Sequence, residues 1–233
     1  GLARALAAQH LRAVAAGAAS PGYEAAPATT PVVQWTEGLR VNRAARLVEV
    51  DAAVCLRVGL LEQVACSPGT REHEAILVVT PKASDIHAAL LLVGLEPGRP
   101  GRWSIRDETL ILEPASGAPL DLRVRWMVDG ASHEAPIASW IRGVGGSAAP
   151  TDAHWRFAGS VIVDERGRPA AEGRYVADTS GSIVGLVTFG DELMAWPETL
   201  PDREAVKPLE WEAYTERIPP EGTPVTILIR PAG

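Results

Sequence analysis

Sulfur is scarce in this sequence. Cys55 and Cys66 are the only cysteines in 233 residues. Two thiols cannot build a scaffold of several disulfides, and they cannot by themselves hold an iron–sulfur cluster. One disulfide between them stays open if the chain is exported. Excess positive charge is also missing. The 22 Lys and Arg face 29 Asp and Glu, a formal net charge of −7, and no Lys/Arg-rich run occurs. No nucleic-acid partner is therefore expected, because phosphate binding needs a basic surface. No uncharged apolar run approaches the roughly 20 residues that cross a bilayer as a helix, so no transmembrane segment is expected. Phosphate-loop signatures are lacking too. Gly143-Val-Gly-Gly146 is not followed by Lys and Ser or Thr, and no Gly-x-Gly-x-x-Gly opens a helix.

The residues that are present favour strands and turns. Hydrophobic residues make up 46% of the chain, enough for a core, and 22 glycines with 19 prolines interrupt it throughout. Residues 1–30 read as an Ala-rich N-terminal segment, weakly helical over Leu2–Ala16, followed by a linker. Residues 31–233 read as a single domain. Leu47–Asp51 alternates apolar and polar residues like a half-buried strand. Val54–Val58 and Leu60–Cys66 look like strands turning at Gly59, a register that would place Cys55 across from Cys66. His73–Thr80 is apolar on both faces, which predicts a central, covered strand. Ser84–Val93 predicts a short buried helix with Ser84 or Asp85 as its N-cap and Gly94 in the left-handed position after it. Thr109–Leu112 and Leu120–Val128 are expected strands, and Asp129-Gly130 predicts a hairpin turn. His154–Val163, Ile183–Phe189 and Thr223–Ile229 are expected strands as well, and Gly143–Pro150 a flexible loop. The expected fold class is α+β, mostly antiparallel sheet with one short buried helix at about residues 84–93.

The densest chemistry lies in Cys66-Ser-Pro-Gly-Thr-Arg-Glu-His-Glu74. Cys66, Glu72, His73 and Glu74, with His87 on the following helix, form the candidate site. Cys66, His73 and His87 are metal-ligand types, with a divalent metal as the candidate cofactor, although their spacing matches no established zinc pattern. Cys66 beside His73, oriented by Glu74, is the arrangement of a thiolate–imidazole pair. Ser160 is a weaker nucleophile candidate, because Phe157 stands where a nucleophile elbow needs Gly. The structural alternative makes His73 an edge residue, His87 a hydrogen-bonded core histidine and Cys66 a buried thiol or half of a disulfide. Seven tryptophans against two phenylalanines point either to packing or to a binding surface.

A set of segments carries a family resemblance. Val54-Cys-Leu-Arg57, Glu72-His-Glu74, Ile86-His-Ala-Ala-Leu-Leu-Leu92, Gly94-Leu-Glu-Pro-Gly98, Trp155-Arg-Phe-Ala-Gly-Ser160, Glu212–Pro220 and Gly222-Thr-Pro-Val-Thr226 resemble, in order, the YdjY-domain family of bacterial proteins. The resemblance runs over about residues 45–230. It implies no activity. It implies export, and hence an extracytoplasmic protein, periplasmic or secreted. The resulting expectation is a binding or structural module of the cell envelope, with an envelope protein as partner. The alternative is a metal-binding protein or hydrolase that uses Cys66, His73, Glu74 and His87.

Overall fold

The computed structural model describes residues 32–146 and 154–233. The segment expected over residues 1–30 and the Ser147–Pro150 half of the expected loop lie outside the described residues.

The chain opens with strands β1 (Val33–Thr36), β2 (Leu39–Asn42) and β3 (Leu47–Val54), followed by β4 (Gln63–Cys66) and β5 (Ala75–Val79). Helix α1 (Ala83–Leu92) comes next, then β6 (Arg102–Arg106), β7 (Thr109–Glu113), β8 (Pro119–Val128) and β9 (Ala131–Pro136). Short strands β10 (Ile141–Gly143), β11 (Trp155–Arg156), β12 (Ile162–Val163) and β13 (Arg174–Tyr175) lead to the single turn α2 (Ala177–Ser180). Strands β14 (Ser182–Gly185), β15 (Met194–Ala195), β16 (Trp211–Ala213) and β17 (Pro224–Pro231) complete it.

Eight strands close into a barrel in the order β3-β17-β8-β11-β15-β14-β4-β5, and β5 returns to β3. The pairs β4–β5 and β14–β15 are parallel, and the other barrel pairs are antiparallel. Strand β3 serves two neighbours on one edge: Leu47–Val50 pair with β2, and Ala52–Val54 pair with β5. Strand β8 likewise pairs with β9 over Arg123–Val128 and with β11 at its first two residues. The long strands thus carry both the barrel and the extensions beyond it.

The expected α+β class is overturned. Among the described residues, strands make up 43% and helices 11%, and only one helix has seven or more residues. Helix α1 lies against β2 and β3 as a cover, not as a layer opposite an open sheet. Period-2 alternation identifies strands but carries no signal for closure, which is set by contacts between residues far apart in sequence. The hairpin expected at Gly59 does not form either. Strand β5 lies between β3 and β4, so Cys55 and Cys66 sit on opposite sides of β5. His154–Val163 is not one strand, because Gly159 and Ser160 both take positive φ (83° and 53°) and break it.

Several local readings hold. Strand β5 is flanked on both edges and almost wholly buried. Asp129 and Gly130 take φ of 49° and 79°, the positive pair that a tight hairpin needs. Gly94 closes α1 at φ 76°. The cap of α1 comes from elsewhere: the Ser84 N–H donates to Asp178 Oδ1 on α2 at 2.8 Å. A carboxylate there also faces the positive end of the helix. One hairpin had no signal in its turn, β6–β7, where Asp107 and Glu108 take φ of 49° and 60° without any glycine.

Leu77 pairs with Val54 on one side and Ala65 on the other, and it is fully buried. Leu77→Ala is expected to lower the unfolding free energy by roughly 2–5 kcal/mol, as buried Leu-to-Ala changes do. Urea denaturation followed by tryptophan fluorescence checks this, and a loss under ~1 kcal/mol would place the residue outside the closing core.

Candidate functional site

Because β4 and β5 are parallel, the turn Ser67–Glu74 must carry the chain back to the start of β5. The Thr70 hydroxyl donates to Ser67 O at 2.6 Å, and Glu72 Oε1 accepts from Gly69 N–H at 3.0 Å. Glu72 is thereby occupied in holding the turn. Glu72–Glu74 form one turn of 3-10 helix. His73 projects outward with 77% of its side chain exposed, its Nε2 at 3.6 Å from Glu74 Oε2.

Glu74 meets two residues that the sequence reading did not single out. Arg71 Nη1 lies 2.8 Å from Glu74 Oε1 and 3.5 Å from Glu62 Oε2. The Glu62 N–H donates to Glu74 O at 3.1 Å, and Glu62 O accepts from Leu186 N–H and Val187 N–H. One guanidinium therefore serves two half-buried carboxyls. Burial, and then the neighbouring Glu74 carboxylate, push Glu62 up to about 7 against the pull of Arg71. The Arg71 guanidinium also stacks 3.8 Å above the Phe189 ring.

Phe189 leads to Glu192, a carboxyl that is 1% exposed. Glu192 Oε1 accepts from the backbone N–H groups of Phe189 and of Gly190, while Oε2 has no hydrogen-bond partner among the described residues. Burial pushes this carboxyl up to about 7 as well. Its methylenes occupy the space over Gly185, where a Cβ would fall 2.6 Å from Glu192 Cγ. Gly185 pairs with Gln63, the residue after Glu62.

The two cysteines lie under the same turn. Both are free thiols. The neighbouring Cys66 side chain, ahead of burial, raises the Cys55 thiol, whose S–H donates to Ala75 O at 3.1 Å. Cys55, with help from the Arg71 N–H, lowers the Cys66 thiol against its burial.

His87 belongs to a different environment. It is buried on α1, its Nδ1 at 2.8 Å from the Tyr175 hydroxyl, and its ring meets Phe157 and Tyr175 edge-on. The Tyr175 hydroxyl donates to Gly159 O at 3.0 Å. Burial pushes His87 down to about 4, so it is neutral at physiological pH. Ser160 sits beside this group, and its Oγ accepts from Ala177 N–H at 3.2 Å. The network ties α1 to the segments around β12, β13 and α2.

The structure therefore brings Cys66, Glu72, His73 and Glu74 into one neighbourhood and places His87 in another. Among the described residues, no three His, Cys, Asp or Glu side chains form a metal-binding group. Glu62 was legible only as part of an apolar run, and Phe189 and Glu192 carry no motif at all. Arg71 lies inside the Cys66–Glu74 stretch, where a guanidinium lacks the ligand or nucleophile chemistry of its neighbours.

Glu192 and His87 make opposite contributions to pH-dependent stability. Glu192 rises from its ordinary 4.5 to about 7, so its contribution is complete below 4.5 and lost as pH rises through about 7. His87 falls from 6.5 to about 4, so its contribution is complete above 6.5 and lost as pH falls through about 4. Glu192→Gln, which keeps the oxygen that accepts from Phe189 and Gly190, is expected to retain on the order of 2–3 kcal/mol that the parent loses between about pH 5 and about pH 8. His87→Gln is expected to flatten the acid side instead. Urea denaturation across pH measures both, and profiles parallel to the parent's would refute the assignment.

The YdjY domain model matches residues 39–230. No curated protein and no solved structure matches the chain. The match runs from the first residue of β2 to within one residue of the end of β17, and so takes in the whole barrel, the Ser67–Glu74 turn and the His87 network. The chain belongs to the YdjY domain family.

Proposed function

We propose that this chain is a binding module of the cell envelope that docks a partner protein through the β6–β7 hairpin and the carboxyls beside it. The observation that carries this reading is the one-sided hairpin. Trp103 pairs with Leu112 and Ile105 with Leu110, so all four side chains share one face. Ile105, Leu112 and Leu110 are 58%, 46% and 38% exposed. A β-hairpin with an uncovered apolar face is the type of surface that a partner covers. The base of this face is anchored, with Trp103 Nε1–H donating to Asp202 Oδ1 at 2.9 Å and Arg203 over the Trp103 ring.

Asp202 also connects the hairpin to the carboxyl pair, since its charge helps to raise Glu62. Apolar side chains thus adjoin Asp202, with the Glu62–Arg71–Glu74 group within its electrostatic reach. That combination suits a polypeptide segment with apolar residues next to basic ones, and the adjacent charges favour its approach. The acidic tip, Asp107-Glu108, argues against insertion of the hairpin into a lipid surface. The extracytoplasmic placement rests on the export implied by the family resemblance.

A photo-crosslinking residue at position 105 of the full-length protein, made in its own cells, tests the reading. A discrete adduct is expected with one protein, absent when the residue is placed at Arg230. With that protein purified, Ile105→Asp with Leu112→Asp is expected to weaken binding by tenfold or more, about 1.4 kcal/mol or above. Equal adducts at both positions, or unchanged affinity, would refute it. Protease accessibility in cells with a permeabilised outer layer tests the compartment separately.

A further inference from the structure

The barrel interior holds one side chain that its surroundings do not satisfy. Gln63 and Ala65 share a face of β4, because side chains alternate with a period of two. The pairs Gln63–Ala75 and Ala65–Leu77 carry that face onto β5, and Leu77–Val54 carries it onto β3. Ala52–Val225 and Val225–Trp126 continue it onto β17 and β8. The opposite face of the same strands carries Asp51, Thr226 and Arg125, so it is the outer one. Gln63 is therefore a carboxamide turned into an apolar barrel. It is fully buried, and neither its Oε1 nor its Nε2 has a hydrogen-bond partner among the described residues. A leucine would fill similar space without leaving an amide unpaired.

Two more unpaired groups lie at this end of the barrel. Gly185 pairs with Gln63 on one side, and its carbonyl accepts from Trp196 N–H at 2.9 Å on the other. The Trp196 ring meets Trp211 with centroids 5.2 Å apart and Trp155 with centroids 5.0 Å apart. Trp211 O accepts from Leu61 N–H at 3.0 Å, two residues before Gln63. The Nε1 atoms of Trp196 and Trp211 are both buried and have no partner among the described residues. Strands β10 and β16 cap this end. Gly143 pairs with Trp211, and Trp140, just before β10, meets the Trp126 ring at 5.2 Å. On its outer side Trp211 walls an open cleft of about 410 Å³, otherwise lined by Gly143, Val144 and residues 207–210.

We propose that the capped end of the barrel binds a small, neutral, planar ligand of the amide or lactam class, admitted from the cleft past the Trp211 ring. An indole N–H only donates, so Trp196 and Trp211 call for an acceptor oxygen. A carboxamide donates and accepts, so Gln63 calls for a ligand with both functions side by side. An amide carbonyl has two lone pairs, one for Gln63 Nε2–H and one for an indole N–H. The amide N–H then meets Gln63 Oε1. The tryptophan rings offer apolar surface to a planar molecule. The interior residues around Gln63 carry no charge, so an ion would lose its hydration without a counter-charge, which selects a neutral ligand. This inference is independent of the hairpin docking surface, and either can fail without the other.

The test titrates the purified full-length protein with benzamide, by calorimetry and by tryptophan emission. Saturable binding of one benzamide is expected, with a change in emission. Benzoate, of the same shape but charged, is expected not to bind. Gln63→Leu is expected to weaken benzamide binding by roughly tenfold or more, the loss of one buried hydrogen-bonded partner. Trp211→Phe, which removes one indole N–H from the entrance, is expected to weaken it as well. No saturable binding by the parent would mean that these groups hold water only, and would overturn the proposal. Equal binding of benzoate, or unchanged affinity in Gln63→Leu, would place the benzamide elsewhere and overturn it too. The comparison of benzamide with benzoate on the parent decides the matter even if a variant fails to fold.

Discussion

Closure of the barrel at β5 is the constraint on which the rest depends. Strand β5 pairs antiparallel with β3 and parallel with β4. A parallel neighbour joined by so short a connection cannot be reached by a two-residue turn, and the chain must travel back along the length of the strand. The Ser67–Glu74 turn makes that return journey without the usual crossover helix. It passes over both thiols and delivers Arg71 and Glu74 beside Glu62. The chemistry collected here follows from a topological need, and the same turn that closes the barrel brings Arg71, Glu74 and Glu62 together.

Buried charge is treated in two ways in this fold. Glu49, 8% exposed on β3, meets Arg40 at 2.9 Å and Arg125 at 2.9 Å. Two cations, Arg40 on adjacent β2 and Arg125 on β8 beyond β17, offset the cost of removing a carboxylate from water. Glu192 is more deeply enclosed and has only two backbone N–H groups on one oxygen. Without a counter-ion, the neutral acid is the cheaper form near neutral pH, which is why burial dominates its behaviour. Glu62 stands between these cases, with half an arginine and a carboxylate neighbour. Glu49, held by two cations, is lowered, whereas Glu62 with one shared cation and Glu192 with backbone donors alone are both raised to about 7.

Local features were legible in the sequence in proportion to their dependence on near neighbours. The Asp129-Gly130 turn, the apolar β5 and the Gly94 helix end each rest on a few adjacent residues. The β3–β5 pairing joins residues more than 20 positions apart, Val54 with Leu77 for example, and no local pattern announces it. The α1 cap was misplaced for the same reason, since Asp178 reaches Ser84 from the other side of the chain. The β6–β7 turn was missed because Asp107 and Glu108 adopt a conformation that sequence reading assigns to glycine or asparagine. Of the candidate site, the turn from Cys66 to Glu74 was visible as a cluster of reactive residue types. His87 was joined to it because both histidines are ligand types, but a buried imidazole on an apolar helix follows the rules of a core. It is neutral, held by Tyr175 and packed against Phe157.

The segment from Cys55 to Cys66 links these lines of reasoning. Its two ends are strand termini fixed by the barrel, and its interior holds Glu62 and exposed Val58. Arg57 secures its first half, with Nε and Nη2 donating to Ile218 O and Thr215 O at 3.1 Å each. Leu61 N–H donates to Trp211 O at 3.0 Å and secures the middle. Such a segment is already constrained by hydrogen bonds to the last third of the chain.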